Sequence, residues 1–293
     1  MANSDVRDDM IAIPGGRFAM GSDDFYPEEA PRREVEVAPF HIAAHAVSAA
    51  DFAGFVSATG YLTTAEQPLP PELAPPDTPP HLLAPGSLVF HPTSGPVPLS
   101  DFHAWWRFVE GACWHQPEGP GSTLDGRMDH PVTHISAIDA RAYCDWAGLR
   151  LPTEKEWEFA ARGGVETLYP WGDHIAPEGR LRMNTWWGDF PYQNIVHNAG
   201  PFTLPVGSLG SSGYGTYNML GNVWEWTTTR SETRLSREMC CTPKREIQAG
   251  EMLVVKGGSH LCAPSYCQRY RRTALSVEEA RSSTSHIGFR CAG

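Results

Sequence analysis

Eleven of the chain's 26 prolines fall between positions 68 and 98. Proline has a fixed φ and no N–H to donate, so it breaks helix interiors and is kept out of central strands. That stretch is therefore expected to hold neither a helix nor a central strand, and to run as one long loop inside a compact domain. Loops of that length serve as lids or binding surfaces about as often as they are plain surface excursions.

Helices are confined to three short segments by their punctuation. Ser48-Ala-Ala-Asp51, Ser136-Ala-Ile-Asp139 and Thr153-Glu-Lys-Glu156 each set a capping hydroxyl three residues ahead of a carboxylate, and Gly60, Gly148 and Gly163 supply the stops. The apolar faces read as Phe52, Phe55 and Val56 in the first, Ala142, Tyr143 and Trp146 in the second, and Trp157, Ala160 and Ala161 in the third. Ile11 to Gly21 reads as strand, turn and strand, and Arg33-Glu-Val-Glu-Val37 alternates as a half-buried strand does. No internal repeat is visible.

With 41% apolar residues and 10 tryptophans in 293 residues, the chain can build a sizeable core. A net charge of −11 argues against a nucleic-acid or anionic-membrane partner, which would want a basic face. The polar first residues lack the layout of a signal peptide and no apolar run approaches a membrane span, so a cytoplasmic location is expected. Seven cysteines are an odd number, which suits a reducing compartment. Adjacent Cys240 and Cys241 in a polar loop read as non-catalytic, and Cys113 as a buried thiol.

The common zinc-protease, nucleotide-binding, hydrolase and dinucleotide fingerprints are missing. His130 and His134 have i,i+4 spacing, but Pro131 takes them off a helix, and His41 and His45 lie in a similar irregular stretch, so neither pair reads as metal ligands. Cys262 and Cys267 are different. They sit in a polar, Arg-rich, glycine-preceded segment unlike that of core cysteines. Two thiols with His260 as the one close addition are too few for structural zinc. Two thiolates alone suit Cu(I), or alternatively a simple disulfide, and spacing alone does not decide between them. Arg269, Arg271 and Arg272 are expected to favour the thiolate form that either chemistry requires.

The string Gly257-Gly-Ser-His-Leu-Cys262-Ala-Pro-Ser-Tyr-Cys267-Gln-Arg-Tyr-Arg, with Ile287-Gly-Phe-Arg-Cys291, resembles the catalytic segment of the formylglycine-generating enzymes. Landmarks extend upstream through Asn218-Met-Leu-Gly-Asn-Val-Trp-Glu-Trp, Tyr169-Pro-Trp-Gly-Asp, Trp146-Ala-Gly-Leu-Arg-Leu-Pro-Thr-Glu-Lys-Glu-Trp, His130-Pro-Val and Ile13-Pro-Gly-Gly-Arg-Phe-Ala-Met-Gly-Ser. The Leu-Pro-Thr-Glu and Gly-Asn-Val-Trp-Glu-Trp strings also occur in binding modules and iron-dependent sulfoxide synthases of the superfamily, so they identify fold only. The sulfoxide synthases are expected to carry an extra helical domain, which a stretch of 293 residues is not expected to accommodate beside this one.

The resemblance implies one α+β domain over residues 10–292, preceded by a tail at 1–9, compact but low in regular secondary structure and akin to C-type-lectin-like folds. It further implies oxidation by O2 of the cysteine in a C-x-P-x-R segment of unfolded sulfatases to Cα-formylglycine, with Cu(I) and an external thiol reductant. Cys262 and Cys267 would hold the copper, and Ser259, Tyr266 and Trp224 would line the oxygen pocket. Calcium is implied at Asn218, Gly221, Val223 and Glu225. A second calcium site would use Asn184, Thr185, Asn198 and Gly200, where Asn198 replaces the family's usual aspartate and removes a charge. Ala263 and His286 stand where animal members carry histidine and asparagine, which affects peptide preference. Cys144 and Cys291 correspond to a disulfide pair of animal members and are expected close together here, whether or not bonded. Aromatic residues of Asp101-Phe-His-Ala-Trp105-Trp106 are candidates for a substrate-groove wall. Two other readings stay open: a lectin-like binding module that lost catalysis, and a metal-free dithiol and disulfide switch.

Overall fold

The computed structural model describes residues 9–196, 202–235 and 246–293. Its three α-helices are those the caps delimit: α1 (Ala49–Thr59), α2 (Ala137–Ala147) and α3 (Glu154–Arg162), each with a complete capping box and each ending on a glycine in the left-handed region. At the start of α1, Ser48 Oγ accepts from the Asp51 N–H at 3.1 Å while the Asp51 carboxylate accepts from the Ser48 N–H at 3.0 Å. Caps of this kind are worth about 1 kcal/mol each, which matters for helices of three turns or fewer.

Among the described residues ten short strands make four sheets. Strands β1 (Met10–Ile13) and β2 (Gly16–Met20) are the strand, turn and strand expected there, and they pair with later strands rather than with each other. Antiparallel to β2 lies β3 (Arg33–Val37), and to β1 lies β4 (Phe40–Ala43). Gly15, at φ +69°, makes the crossing between β1 and β2, where a Cβ would stand 2.4 Å from the Val37 carbonyl oxygen. The pair β5 (Gly86–Phe90) and β6 (Trp106–Glu110) forms a third ribbon. The largest sheet has the order β10-β7-β8-β9, from β7 (Trp224–Arg230), β8 (Met252–Lys256), β9 (Leu275–Glu279) and β10 (Ile287–Gly288), with only β10 parallel to its neighbour.

Within the proline-rich stretch no α-helix forms, and two 3-10 turns, Pro71–Leu73 and Pro80–Leu83, begin on proline. The reading of the whole stretch as one long loop is corrected at β5, which pairs with β6 in a two-stranded sheet and meets Thr284 through a single bridge at Leu88. Proline is absent from 86 to 91, so the donors that this pairing needs are intact.

The main core gathers Phe52, Tyr143, Trp157, Trp226 and Phe289 between the helices and the large sheet. On α2 the buried stripe is Ala140, Tyr143 and Ala147 rather than the expected Ala142, Tyr143 and Trp146; Trp146 is 42% exposed and caps the rim against Phe55 and Tyr143. A second cluster of Phe90, Trp105, Trp186, Phe190, Leu261 and Ala263 packs beneath the Cys262 segment. Among the described residues no helix is long and apolar enough to cross a membrane.

Candidate functional site

The thiol segment is launched from the end of β8. Lys256, fully buried, donates to Glu158 of α3 at 3.0 Å and anchors the strand's last residue. Gly257 and Gly258 follow at φ +96° and +72°, and a Cβ on either would lie within 2.6 Å of a backbone carbonyl oxygen, of Met219 or Arg269 respectively. That close approach folds the chain into two consecutive turns. In the first, the Cys262 N–H donates to the Ser259 carbonyl at 3.0 Å, and Ser259 Oγ accepts from the Leu261 N–H at 3.2 Å. In the second, the Cys267 N–H donates to the Ala263 carbonyl at 3.0 Å. The two turns bring Cys262 Sγ and Cys267 Sγ to 3.4 Å, both as free thiols. That distance is far longer than a disulfide bond of about 2.05 Å and short enough for one soft ion to reach both sulfurs.

The pair is electrostatically asymmetric. Cys267 is lowered to about 6, chiefly by the hydrogen bond from Cys262 and then by the Arg269 backbone N–H and guanidinium. Burial, followed by the neighbouring sulfur, pushes Cys262 well up. One proton is thus shared, with the negative charge on Cys267. Of the three arginines expected to act on the thiols, only Arg269 reaches one, at 3.8 Å from Cys267 Sγ. Arg271 is paired with Glu29 and packed over Phe25, and Arg272 donates to the Glu166 carbonyl at 2.8 Å.

A clamp from the N-terminal part of the chain holds Arg269 in place. Glu28 accepts from Arg269 Nε at 2.9 Å, the guanidinium stacks 4.0 Å from the Tyr26 ring centroid, and Tyr26 Oη accepts from the Gln268 N–H at 3.2 Å. Sequence reading misses Tyr26 and Glu28, because no local pattern links segments 241 positions apart.

Ser259 is fully buried beside Cys262 and directs its backbone N–H toward that sulfur at 3.5 Å. Tyr266 is 40% exposed; its ring lies parallel on Phe190 at 4.6 Å and edge-on to Trp105 at 5.5 Å. Trp105 is therefore core beneath Tyr266, whereas Trp106 is partly buried and faces His286 at 4.7 Å. Trp224 is buried at the head of β7, and the Glu225↔Lys256 register sets it across from Gly257. Ala263 is buried in the second cluster, and burial with the neighbouring His260 and His134 pushes His286 well below its ordinary value. His130 and His134 take the hydroxyls of Thr203 and Ser87 rather than sharing an ion. Cys144 and Cys291 lie 3.5 Å apart as buried free thiols, and Cys113 is buried as expected.

The two loops expected to hold calcium touch each other. The Asn222 N–H donates to the Asn184 carbonyl at 2.8 Å, and the Trp186 N–H donates to the Cys262 carbonyl at 2.9 Å, so the Asn184 segment joins the Asn218 loop to the thiol turn. Glu225 is already committed: its Oε2 accepts from Arg290 Nε and Trp157 Nε1, both at 2.6 Å, and its Oε1 accepts from Arg290 Nη2 at 2.7 Å. Only Oε1 keeps a free lone pair, so the carboxylate fits calcium at most through one oxygen. Among the described residues Asn184 Oδ1 and Thr185 Oγ1 are buried oxygens without a hydrogen-bond partner, which is the condition a hard cation relieves. Asn198 and Gly200 lie outside the described residues, as do Cys240 and Cys241.

Comparison with known proteins agrees with this geometry. The family described as Sulfatase-modifying factor enzyme 1-like domain matches residues 2–293. The chain is 49% identical over 290 residues to a formylglycine-generating enzyme of Mycobacterium tuberculosis, covering 97% of each. It is 36% identical to a Bos taurus protein named inactive C-alpha-formylglycine-generating enzyme 2, covering 97% of this chain and 87% of that one. The structure of PvdO from Pseudomonas aeruginosa superposes with a TM-score of 0.62 at 22% identity, over 97% of this chain and 93% of that one, a likeness of fold. With a single α+β domain matched almost end to end and the paired thiols in place, the chain belongs to the formylglycine-generating enzyme, or sulfatase-modifying factor, family.

Proposed function

We propose that this protein oxidises the cysteine of a C-x-P-x-R segment in unfolded sulfatase polypeptides to Cα-formylglycine. The observation that carries the reading is the Cys262 and Cys267 pair, 3.4 Å apart with the Arg269 guanidinium 3.8 Å from the Cys267 sulfur. The reaction balances as one peptidyl thiol, one O2, two electrons and two protons giving the aldehyde, hydrogen sulfide and water, with an external thiol supplying the electrons.

Cu(I), which two soft thiolates suit, would be held by Cys262 and Cys267 and would supply the one-electron chemistry toward O2 that side chains lack. Cys262 yields its shared proton when an ion is taken up, while Arg269, fixed by Glu28 and Tyr26, offsets the negative charge of the sulfurs. The Ser259 and Tyr266 hydroxyls and the Trp224 indole N–H are the donors for charge developing on reduced oxygen. Phe190 and Trp105 keep the Tyr266 ring in one orientation and exclude water from its inner face. Ca2+ has a structural role beside the site, and this reading rests more on Asn184 and Thr185 than on Asn218, Gly221, Val223 and Glu225.

The test is mass spectrometry of a Leu-Cys-x-Pro-x-Arg peptide incubated in air with copper-loaded protein and a thiol. The expected product is lighter by about 18 Da, as the thiol-bearing carbon becomes an aldehyde. Cys262→Ser and Cys267→Ser should each abolish it while leaving circular dichroism unchanged. Turnover without copper would point to direct thiol exchange, and no turnover by folded, copper-loaded protein would leave the non-catalytic binding module.

A further inference from the structure

Away from the thiol pair, Cys113, His115 and Glu66 place one sulfur, one imidazole nitrogen and one carboxylate oxygen within 4.8 Å of one another. We propose that these three side chains form a second, separate metal site for a borderline divalent ion of the Zn2+ class, with water as the fourth ligand.

Each ligand is already aimed by its surroundings. Glu66 Oε2 is held by the Thr63 N–H at 2.9 Å and the Thr63 hydroxyl at 2.6 Å, which turns Oε1 toward His115 Nε2 at 3.3 Å. Cys113 and Gln116 exchange backbone hydrogen bonds at 3.2 and 3.1 Å, closing a tight turn that carries both Cys113 and His115 to Glu66. An orienting partner behind a ligand is a recurrent mark of metal sites. Around a tetrahedral zinc with bonds of about 2.0–2.3 Å, ligand atoms lie roughly 3.3–3.8 Å apart. Closing from 4.8 Å needs a shift of about 1 Å, which the exposed His115 side chain can make by rotation.

The donor set selects the ion. A thiolate and an imidazole disfavour Ca2+ and Mg2+, while a single thiolate with a carboxylate is a poorer match to Cu(I) than the Cys262 and Cys267 pair. Cys113 is buried and His115 is 45% exposed on its side chain, so the open position faces solvent. Three protein ligands and an open fourth position is the arrangement of zinc sites that keep a water. Here the ion would join the 63–67 turn to the 111–117 loop and bind the folded chain in preference to the unfolded one.

The test uses the full chain carrying Cys262→Ser and Cys267→Ser, so that its outcome is independent of the copper reading. Zinc content after dialysis, and the thiolate-to-metal absorption on loading with Co2+, are measured in that background and in the same chain with Cys113→Ala or His115→Ala added. One equivalent of zinc is expected, with loss of the cobalt–thiolate band in Cys113→Ala and an affinity at least about tenfold weaker in His115→Ala. Because His115 is exposed, that variant keeps its fold, which circular dichroism without metal checks. Absence of bound zinc, or zinc uptake and a cobalt–thiolate band unchanged by Cys113→Ala, overturns the proposal.

Discussion

Replacing Glu225 by glutamine keeps its shape and removes one charge from the centre of the molecule. Glu225 and Arg290 are 1% and 0% exposed on their side chains, and the carboxylate takes two N–H groups of Arg290 and one of Trp157. Breaking a buried pair from one side leaves an uncompensated charge and costs about 3–5 kcal/mol, or roughly two to three and a half decades in the unfolding equilibrium. Arg290→Met is expected to cost at least as much, because Arg290 also donates to the carbonyls of Ala43, Ala44 and Tyr217. In the double variant neither charge of this pair remains; the carbonyls of Ala43, Ala44 and Tyr217 lose their Arg290 donor, although Ala44 keeps the Tyr217 N–H, at about 1–3 kcal/mol each at most. Urea unfolding of the four proteins should therefore show the double variant more stable than the sum of the single losses by at least about 2 kcal/mol. Adding a calcium chelator should leave the Glu225→Gln loss unchanged. Single losses that add within about 0.5 kcal/mol, or a Glu225→Gln cost below about 1 kcal/mol, would refute the reasoning.

Two more outcomes follow from the site. With metal removed, alkylation of Cys267 by iodoacetamide should be half-maximal near pH 6, set by the proton donated from Cys262 and by Arg269, and a midpoint at the ordinary thiol value of about 8.5 would contradict the charge assignment. Since folding depresses this group, its contribution to stability is fully present above about pH 8.5 and lost as pH falls through about 6. Thr185→Val removes a buried hydroxyl that has no partner among the described residues, so in chelator it should leave the melting temperature unchanged or raise it, while a calcium-induced rise seen in the parent should shrink; an undiminished rise removes the Thr185 hydroxyl from the calcium shell.

What the sequence made legible was whatever its local chemistry determines. The three helices are bounded residue for residue by Ser48, Ser136 and Thr153 and by Gly60, Gly148 and Gly163, since caps and left-handed stops act within a few positions. The C-x4-C spacing likewise foretold the close sulfurs, because two consecutive turns suffice to join them. Pairing across space was not legible. β1 and β2 read correctly as strand, turn and strand, yet nothing local named β4 and β3 as their partners, and β5 formed beside β6 inside a stretch marked by its prolines as loop. Counting Arg269, Arg271 and Arg272 together overstated their reach, because Glu29 and the Glu166 carbonyl, both distant in sequence, engage the latter two. The same holds for Glu225, whose loop suggests a cation ligand while Arg290 and Trp157, 65 and 68 positions away in sequence, together claim most of its lone pairs.

The contact between Glu28 and Arg269 has a consequence for how the protein is made. A ribosome emits Glu28 241 positions before Arg269, so the guanidinium that favours the thiolate cannot be seated until that whole intervening stretch has emerged. Contacts closing a loop of that length form late and slowly in folding. Shorter nascent chains therefore carry the early half of the clamp without the sulfurs it serves, and the thiolate is favoured only after both halves have emerged and met.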